Sequence, residues 1–220
     1  MCFSPQADLI GGAVICGIGV DAIRHVDRRP SHRALATLPV VFGAHQIVEA
    51  FVWFSLQGHV SPGLGRASLW VYLVVAFVFL PIFVPVAVAA IEPSPWRRRL
   101  ATSLAIVGTV VAGVLLAAMV RGPMTVVMRP YHLAYSVHLA DGGFFVGLYV
   151  LATCGAVLLS SNRWIVIFGV ANLIAVVTIA NLTIDGFASV WCAWAAVISA
   201  AIALQMRFGR SRHKVALSAT

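Results

Sequence analysis

The sequence predicts an all-α integral membrane fold: a bundle of seven transmembrane helices, N-terminus outside and C-terminus cytoplasmic. Three observations predict it. Apolar runs lie near 7–26, 34–57, 68–91, 99–120, 143–160, 164–184 and 187–206, each close to the about 20 helical residues that cross a roughly 30 Å hydrocarbon core. Hydrophobic residues make up 61% of the 220-residue chain and charged residues 10%, too little polar surface to cover a soluble core. Finally, twelve of the 15 Lys and Arg residues follow the first, third, fifth and seventh runs, while the alternate loops hold only Arg66, Arg121 and Arg129. The positive-inside rule assigns the first group to the cytoplasm. One transmembrane domain, 1–206, and a basic cytoplasmic tail, 207–220, follow. The net charge of +8 is spread over loops, so it reads as a topology signal, and no nucleic-acid partner is expected.

In the first run, no basic residue precedes the apolar stretch; Arg24, Arg28 and Arg29 follow it, so an uncleaved helix is expected rather than a secretory signal. Cys2 lacks a preceding lipobox and position 2 is not Gly, which argues against a lipid anchor. Gly11, Gly12, Gly17 and Gly19 form a small-residue surface for close helix packing. The second run carries most of the polar residues within an apolar stretch. In the third, Pro81 and Pro85 remove backbone donors, predicting a kink and free carbonyls near Phe77 and Pro81.

The fourth run would act as inverter in a weak 3+1+3 repeat: Cys16-Gly17, Phe42-Gly43 and Trp70 recur as Cys154-Gly155, Phe168-Gly169 and Trp191. Before the fifth lies the longest loop, 121–142, where His132-Leu133-Ala134 recurs as His138-Leu139-Ala140. A spacing of six places both histidines on one side of a strand, so an outer hairpin or a surface-lying segment is expected. Between the sixth and seventh runs Asp185-Gly186 forms a turn, and Trp191 and Trp194 serve packing or interfacial anchoring.

The chemistry centres on the second run, Phe42-Gly43-Ala44-His45-Gln46-Ile47-Val48-Glu49-Ala50-Phe51-Val52-Trp53. His45 and Glu49 are one turn apart on one helix face. Ionisable groups within a bilayer are costly, so both should face the interior and interact, as a proton- or cation-responsive core or as a polar staple between helices. His45, Gln46, Glu49, Trp53, Asn181 and Asp185 make up the candidate intramembrane polar site. Cys2, His132, His138 and Asp141 offer a zinc-type ligand set on the outer side, although the sequence has no His-Glu-x-x-His pair. Cys16 and Cys154 read as small apolar residues, and a Cys2–Cys192 disulfide is left open. Retinal is excluded, because a Schiff base needs a lysine within the bundle and the sole lysine is Lys214.

The start Met1-Cys2-Phe3-Ser4, the string His45 to Trp53, Gly147-Leu148-Tyr149-Val150 and Asp185 to Trp194 resemble an uncharacterised family, a domain of unknown function, of bacterial multi-pass membrane proteins. The resemblance covers essentially the whole chain, with Pro5 where Ala is usual. It implies a bacterial inner (plasma) membrane protein and transfers no catalytic residue. The leading expectation is therefore a polar cavity that binds a small solute or ion for transport or sensing. The alternatives are a metal-dependent membrane hydrolase using the outer His/Cys/Asp cluster and an accessory subunit of a larger complex. Beyond the lipid bilayer, a homo-oligomer or a partner membrane subunit is the expected kind of protein partner.

Overall fold

The computed structural model describes residues 4–25, 36–182, 189–201 and 203. They are mostly helical, and seven helices run through them: α1 (Pro5–His25), α2 (Leu38–Leu56), α3 (Pro62–Ile91), α4 (Pro95–Arg121), α5 (Gly142–Leu158), α6 (Arg163–Leu182) and α7 (Ser189–Ala201). A two-stranded antiparallel hairpin, β1 (Met124–Met128) and β2 (Leu133–Val137), joins α4 to α5, with Met124 opposite Val137 and Met128 opposite Leu133. The hairpin meets the expectation for the 121–142 loop, and His132 and His138 flank β2. The first four helices are each long and apolar enough to cross a membrane by length and composition; α5, α6 and α7 are apolar but have shorter apolar stretches among the described residues.

Helix starts follow local chemistry. Ser4 Oγ accepts the Ala7 N–H at the head of α1 (3.2 Å), and Ser61 Oγ accepts the Leu64 N–H at the head of α3 (3.3 Å). Each satisfies an orphan donor of a first turn. Ser61 followed by Pro62 starts α3 six residues before the apolar run that marked it in sequence, since a serine cap and a proline at the first position favour a start there.

α1 and α2 pack antiparallel through glycine. A Cβ on Gly12 would lie 2.6 Å from the Gly43 carbonyl oxygen, one on Gly43 would lie 2.7 Å from the Gly12 oxygen and the Cys16 nitrogen, and one on Gly19 would lie 2.7 Å from the Val40 nitrogen. Backbone meets backbone at these three glycines, as small-residue interfaces allow, whereas Gly17, expected on the same packing surface, has nothing within 4 Å. The Cys16 thiol donates to the Val40 carbonyl across the seam (3.5 Å).

The expected effect of proline on backbone pairing appears in altered form. α3 runs through a π-helical segment, Val75–Phe79, immediately before Pro81. There the Leu80 N–H reaches back to the Val75 oxygen, so the next carbonyl, Ala76, would look for its donor at Pro81, which has none. The Tyr149 hydroxyl of α5 supplies it (2.7 Å). The carbonyl shown to take an outside donor is thus Ala76, one residue before Phe77, because the π register shifts the pairing by one residue. α4 closes on the same spot with Gly108, where a Cβ would collide with the Pro81 oxygen.

α5 has its own π segment at Leu151–Gly155. The two π segments fall in α3 and α5, which the 3+1+3 repeat does not pair. The Phe-Gly dipeptides do act alike: Gly43 seats α2 on α1, and Gly169 seats α6 on Val157 and Leu158 of α5. Trp191 Nε1 donates to Asn172 Oδ1 (3.3 Å) and Trp194 Nε1 to the Ala171 oxygen (3.2 Å), so both tryptophans serve α6–α7 packing.

Candidate functional site

The inward face of α2 carries His45, Gln46, Glu49 and Trp53, spaced so that successive turns present them to one side, and all four are buried. α1 adds Asp8, fully buried. The glycine seam brings it there: Gly12 faces Gly43 and Ile47, so the antiparallel helix places Asp8, one turn earlier, beside the turn of α2 that holds Glu49. The Asp8 and Glu49 carboxyls lie in each other's electrostatic field. Trp53 turns its indole toward Asp8 without reaching hydrogen-bonding geometry.

Aromatic rings close the cluster. His45 stacks on Tyr72 of α3 (centroids 4.0 Å, 14°), and Tyr72 stacks on Tyr135 of β2 (4.4 Å, 17°). The Tyr135 hydroxyl donates to Glu49 Oε1 (3.2 Å). Leu133, fully buried, packs with Val52 and Trp53, so the hairpin is a cover over this end of α2. A cavity of about 40 Å³ lies farther along the bundle, bounded by Phe42, Tyr149, Asn172, Trp191 and Cys192 among others, with room for a few waters or a small chemical group. Cys192 also lies in the field of Glu49.

Hydrogen-bond accounting sets the cluster apart. Among the described residues, neither oxygen of Asp8, neither ring nitrogen of His45, neither amide atom of Gln46 and not the Trp53 Nε1 has a partner. Buried polar atoms are almost always paired, and this set is concentrated in one place. The expected His45–Glu49 contact is not made, although both residues face the interior as expected. The imidazole stacks on Tyr72 while the carboxylate takes the Tyr135 hydroxyl.

Of the other candidate residues, Asp185 and Cys2 lie outside the described residues, and Asn181 is described only by its backbone, near the end of α6. The metal-type set is not assembled among the described residues: no group of three His, Cys, Asp or Glu comes together there. His138 and Asp141 are exposed. Asp141 takes a left-handed backbone (φ 55°) and heads α5, its carbonyl accepting the Phe144 N–H (2.9 Å), which gives it a turn role. Sequence reasoning missed Asp8, Tyr72 and Tyr135 as members of the α2 site. Asp8 carried a usable signal, since a carboxylate inside an apolar run demands the same explanation as Glu49.

A second polar contact, also missed, ties the opposite end. Glu92, buried at the end of α3, accepts the Ser161 N–H (2.7 Å) and Oγ–H, and the Ser94 N–H (3.2 Å), while Arg97 donates to Ser161 Oγ (3.2 Å). Burial pushes the Glu92 carboxyl up, but the Ser161 and Ser94 hydrogen bonds and the Arg97 guanidinium outweigh it and hold the group below its ordinary value of 4.5. The clasp joins the α3–α4 and α5–α6 loops.

Bulky apolar side chains on the outer helix faces, such as Ile10 (67% exposed), Ile106 (63%) and Ile174 (61%), surround this polar interior. Long apolar helices built this way suggest a membrane protein. The chain belongs to DUF6629, a family of unknown function, whose pattern matches residues 1–218. Nothing among curated proteins matches the chain, and nothing among solved structures does.

Proposed function

We propose that this is a seven-span protein of a bacterial inner membrane, N-terminus outside and C-terminus cytoplasmic, whose polar site beneath the hairpin binds a small solute or ion for transport or sensing. The observation that carries the reading is the run of buried, unpartnered polar atoms on Asp8, His45, Gln46 and Trp53. Each such atom costs about 1–3 kcal/mol when nothing satisfies it. Several on adjacent turns are hard to retain in a purely structural core, whereas a ligand with complementary groups satisfies them together. The loop charges support the orientation, and it places the hairpin and the cluster toward the outside.

Thiol accessibility tests this. In a background free of native cysteines, Gln46→Cys and Arg98→Cys variants in intact cells are treated with a small, membrane-impermeant thiol reagent. Labelling at position 46 and protection at position 98 are expected. A position 46 that stays unlabelled even in permeabilised cells means a dry polar staple, and labelling at position 98 from outside reverses the topology.

A further inference from the structure

We infer that the feet of α4 and α6 form a binding site for an anionic phospholipid, its headgroup phosphate held by arginines and its acyl chains lying along the two helices. Such a site rests only on the chain lying in a membrane and is independent of a solute at the α2 cluster. The Glu92 clasp brings two loops together, and with them two like pairs of side chains. Arg97 sits over the Trp96 ring (5.2 Å to its centroid) and Arg163 over the Trp164 ring (5.0 Å). Arg97 donates to Ser161 Oγ (3.2 Å), and Arg163 lies two residues beyond that serine, so the two pairs are neighbours. Arg98 and Arg99, both exposed, stand beside them.

Against these four guanidinium groups the two loops carry one carboxylate, Glu92, whose oxygens already accept from Ser94 and Ser161. Among the described residues, the side chains of Arg98, Arg99 and Arg163 make no hydrogen bond or ion pair. A positive patch left unbalanced in this way attracts an anion, and both helices start here, so their dipoles add to the same field. Stacking occupies the flat face of a guanidinium and leaves its N–H edge, the fork that meets a phosphate in paired hydrogen bonds. It also sets the depth, since tryptophan settles at the membrane–water interface, where headgroups lie. A topology signal requires only positive charge in a loop. It does not explain indole rings under two of the arginines, or a clasp that joins their loops.

The apolar surface separates a lipid from a free phosphate. One turn beyond Arg163, Ile167 begins an exposed stripe that continues through Val170 and Ile174, and on α4 the exposed Ile106 and Val110 follow Arg99 on the same face. From Arg163 to Ile174 the helix rises about 16 Å, close to half of the roughly 30 Å hydrocarbon core and so to the depth of one leaflet's acyl chains. A zwitterionic headgroup would bring a cation of its own against the arginines, so an acidic phospholipid is the better match.

The test uses the full chain, delipidated in a neutral detergent, and native mass spectrometry with phosphatidylglycerol, phosphatidylethanolamine and glycerol 3-phosphate as probes. Phosphatidylglycerol should bind at least about tenfold more tightly than phosphatidylethanolamine, and glycerol 3-phosphate should not bind measurably. The double variant Arg98→Gln/Arg163→Gln should lose the preference; both side chains are exposed, so the fold is retained. Arg66→Gln/Arg121→Gln removes the same charge from the opposite end and should keep it. Equal affinity for the two lipids, glycerol 3-phosphate binding as tightly as phosphatidylglycerol, or the same loss in both double variants overturns the assignment. If the chain needs detergent but shows no lipid preference, the lipid site falls and the membrane reading stands; if it stays in solution without detergent, both fall.

Discussion

Removing the Tyr149 hydroxyl is the sharpest test of how the bundle handles Pro81. Tyr149→Phe keeps the ring, its burial and its edge contact with Trp191 (5.5 Å, 74°), so the change in apolar area is near zero. What is lost is the 2.7 Å bond to the Ala76 carbonyl, whose π-register donor position is occupied by proline. A buried acceptor left unsatisfied costs about 1–3 kcal/mol, whereas side-chain hydrogen bonds inside membrane bundles average about 0.6 kcal/mol, because the loosened chain finds substitute partners. Here the obvious substitute, an N–H at position 81, does not exist. The upper range therefore applies, and about 1–2 kcal/mol is expected, a factor of roughly 5–30 in the folded-to-unfolded ratio. Pro81→Ala supplies the missing N–H, so Tyr149→Phe should cost markedly less in that background. Reversible unfolding of the four proteins in mixed micelles gives the double-mutant cycle. A coupling within about 0.3 kcal/mol of zero would refute the claim that the tyrosine stands in for the proline's absent donor.

Acid should release the Glu92 clasp. Because the folded-state carboxyl titrates below its ordinary 4.5, its stabilisation is present above that value and is lost as pH falls through the lower folded-state value. The melting-temperature gap between wild type and Glu92→Gln should accordingly hold from pH 7 to 5 and close below about 4.5; a gap that is constant down to pH 3 removes the electrostatic explanation. Gly43→Ala should destabilise, since the new methyl meets backbone atoms at 2.7 Å that cannot swing aside. About 1–3 kcal/mol of overpacking then outweighs the roughly 1 kcal/mol gained in helix propensity. Gly113→Ala, with nothing within 4 Å, is the control and should be neutral or slightly stabilising in the same unfolding assay; equal effects at the two sites would mean that the α1–α2 seam is not close-packed.

Composition and periodicity determined the parts that depend on a residue's own neighbours in the chain. Long apolar runs become helices because only internal hydrogen bonding satisfies a backbone in apolar surroundings. The face of α2 that carries His45, Gln46, Glu49 and Trp53 is read from the helical repeat alone, and it is the buried face. The spacing of six between His132 and His138 likewise allowed a hairpin as one of two readings, and the hairpin is what forms. Partner choice was beyond the sequence. Tyr135 reaches Glu49 across 86 residues and Tyr149 reaches Ala76 across 73, and no local rule links positions so far apart. His45 and Glu49, adjacent on one helix, do not pair, because Tyr72 and Tyr135 offer each a better-oriented neighbour. Asp8 joins them only because glycines at 12 and 43 let two backbones touch. Chain-local physics thus determined which groups turn inward, and three-dimensional packing decided which of those groups meet.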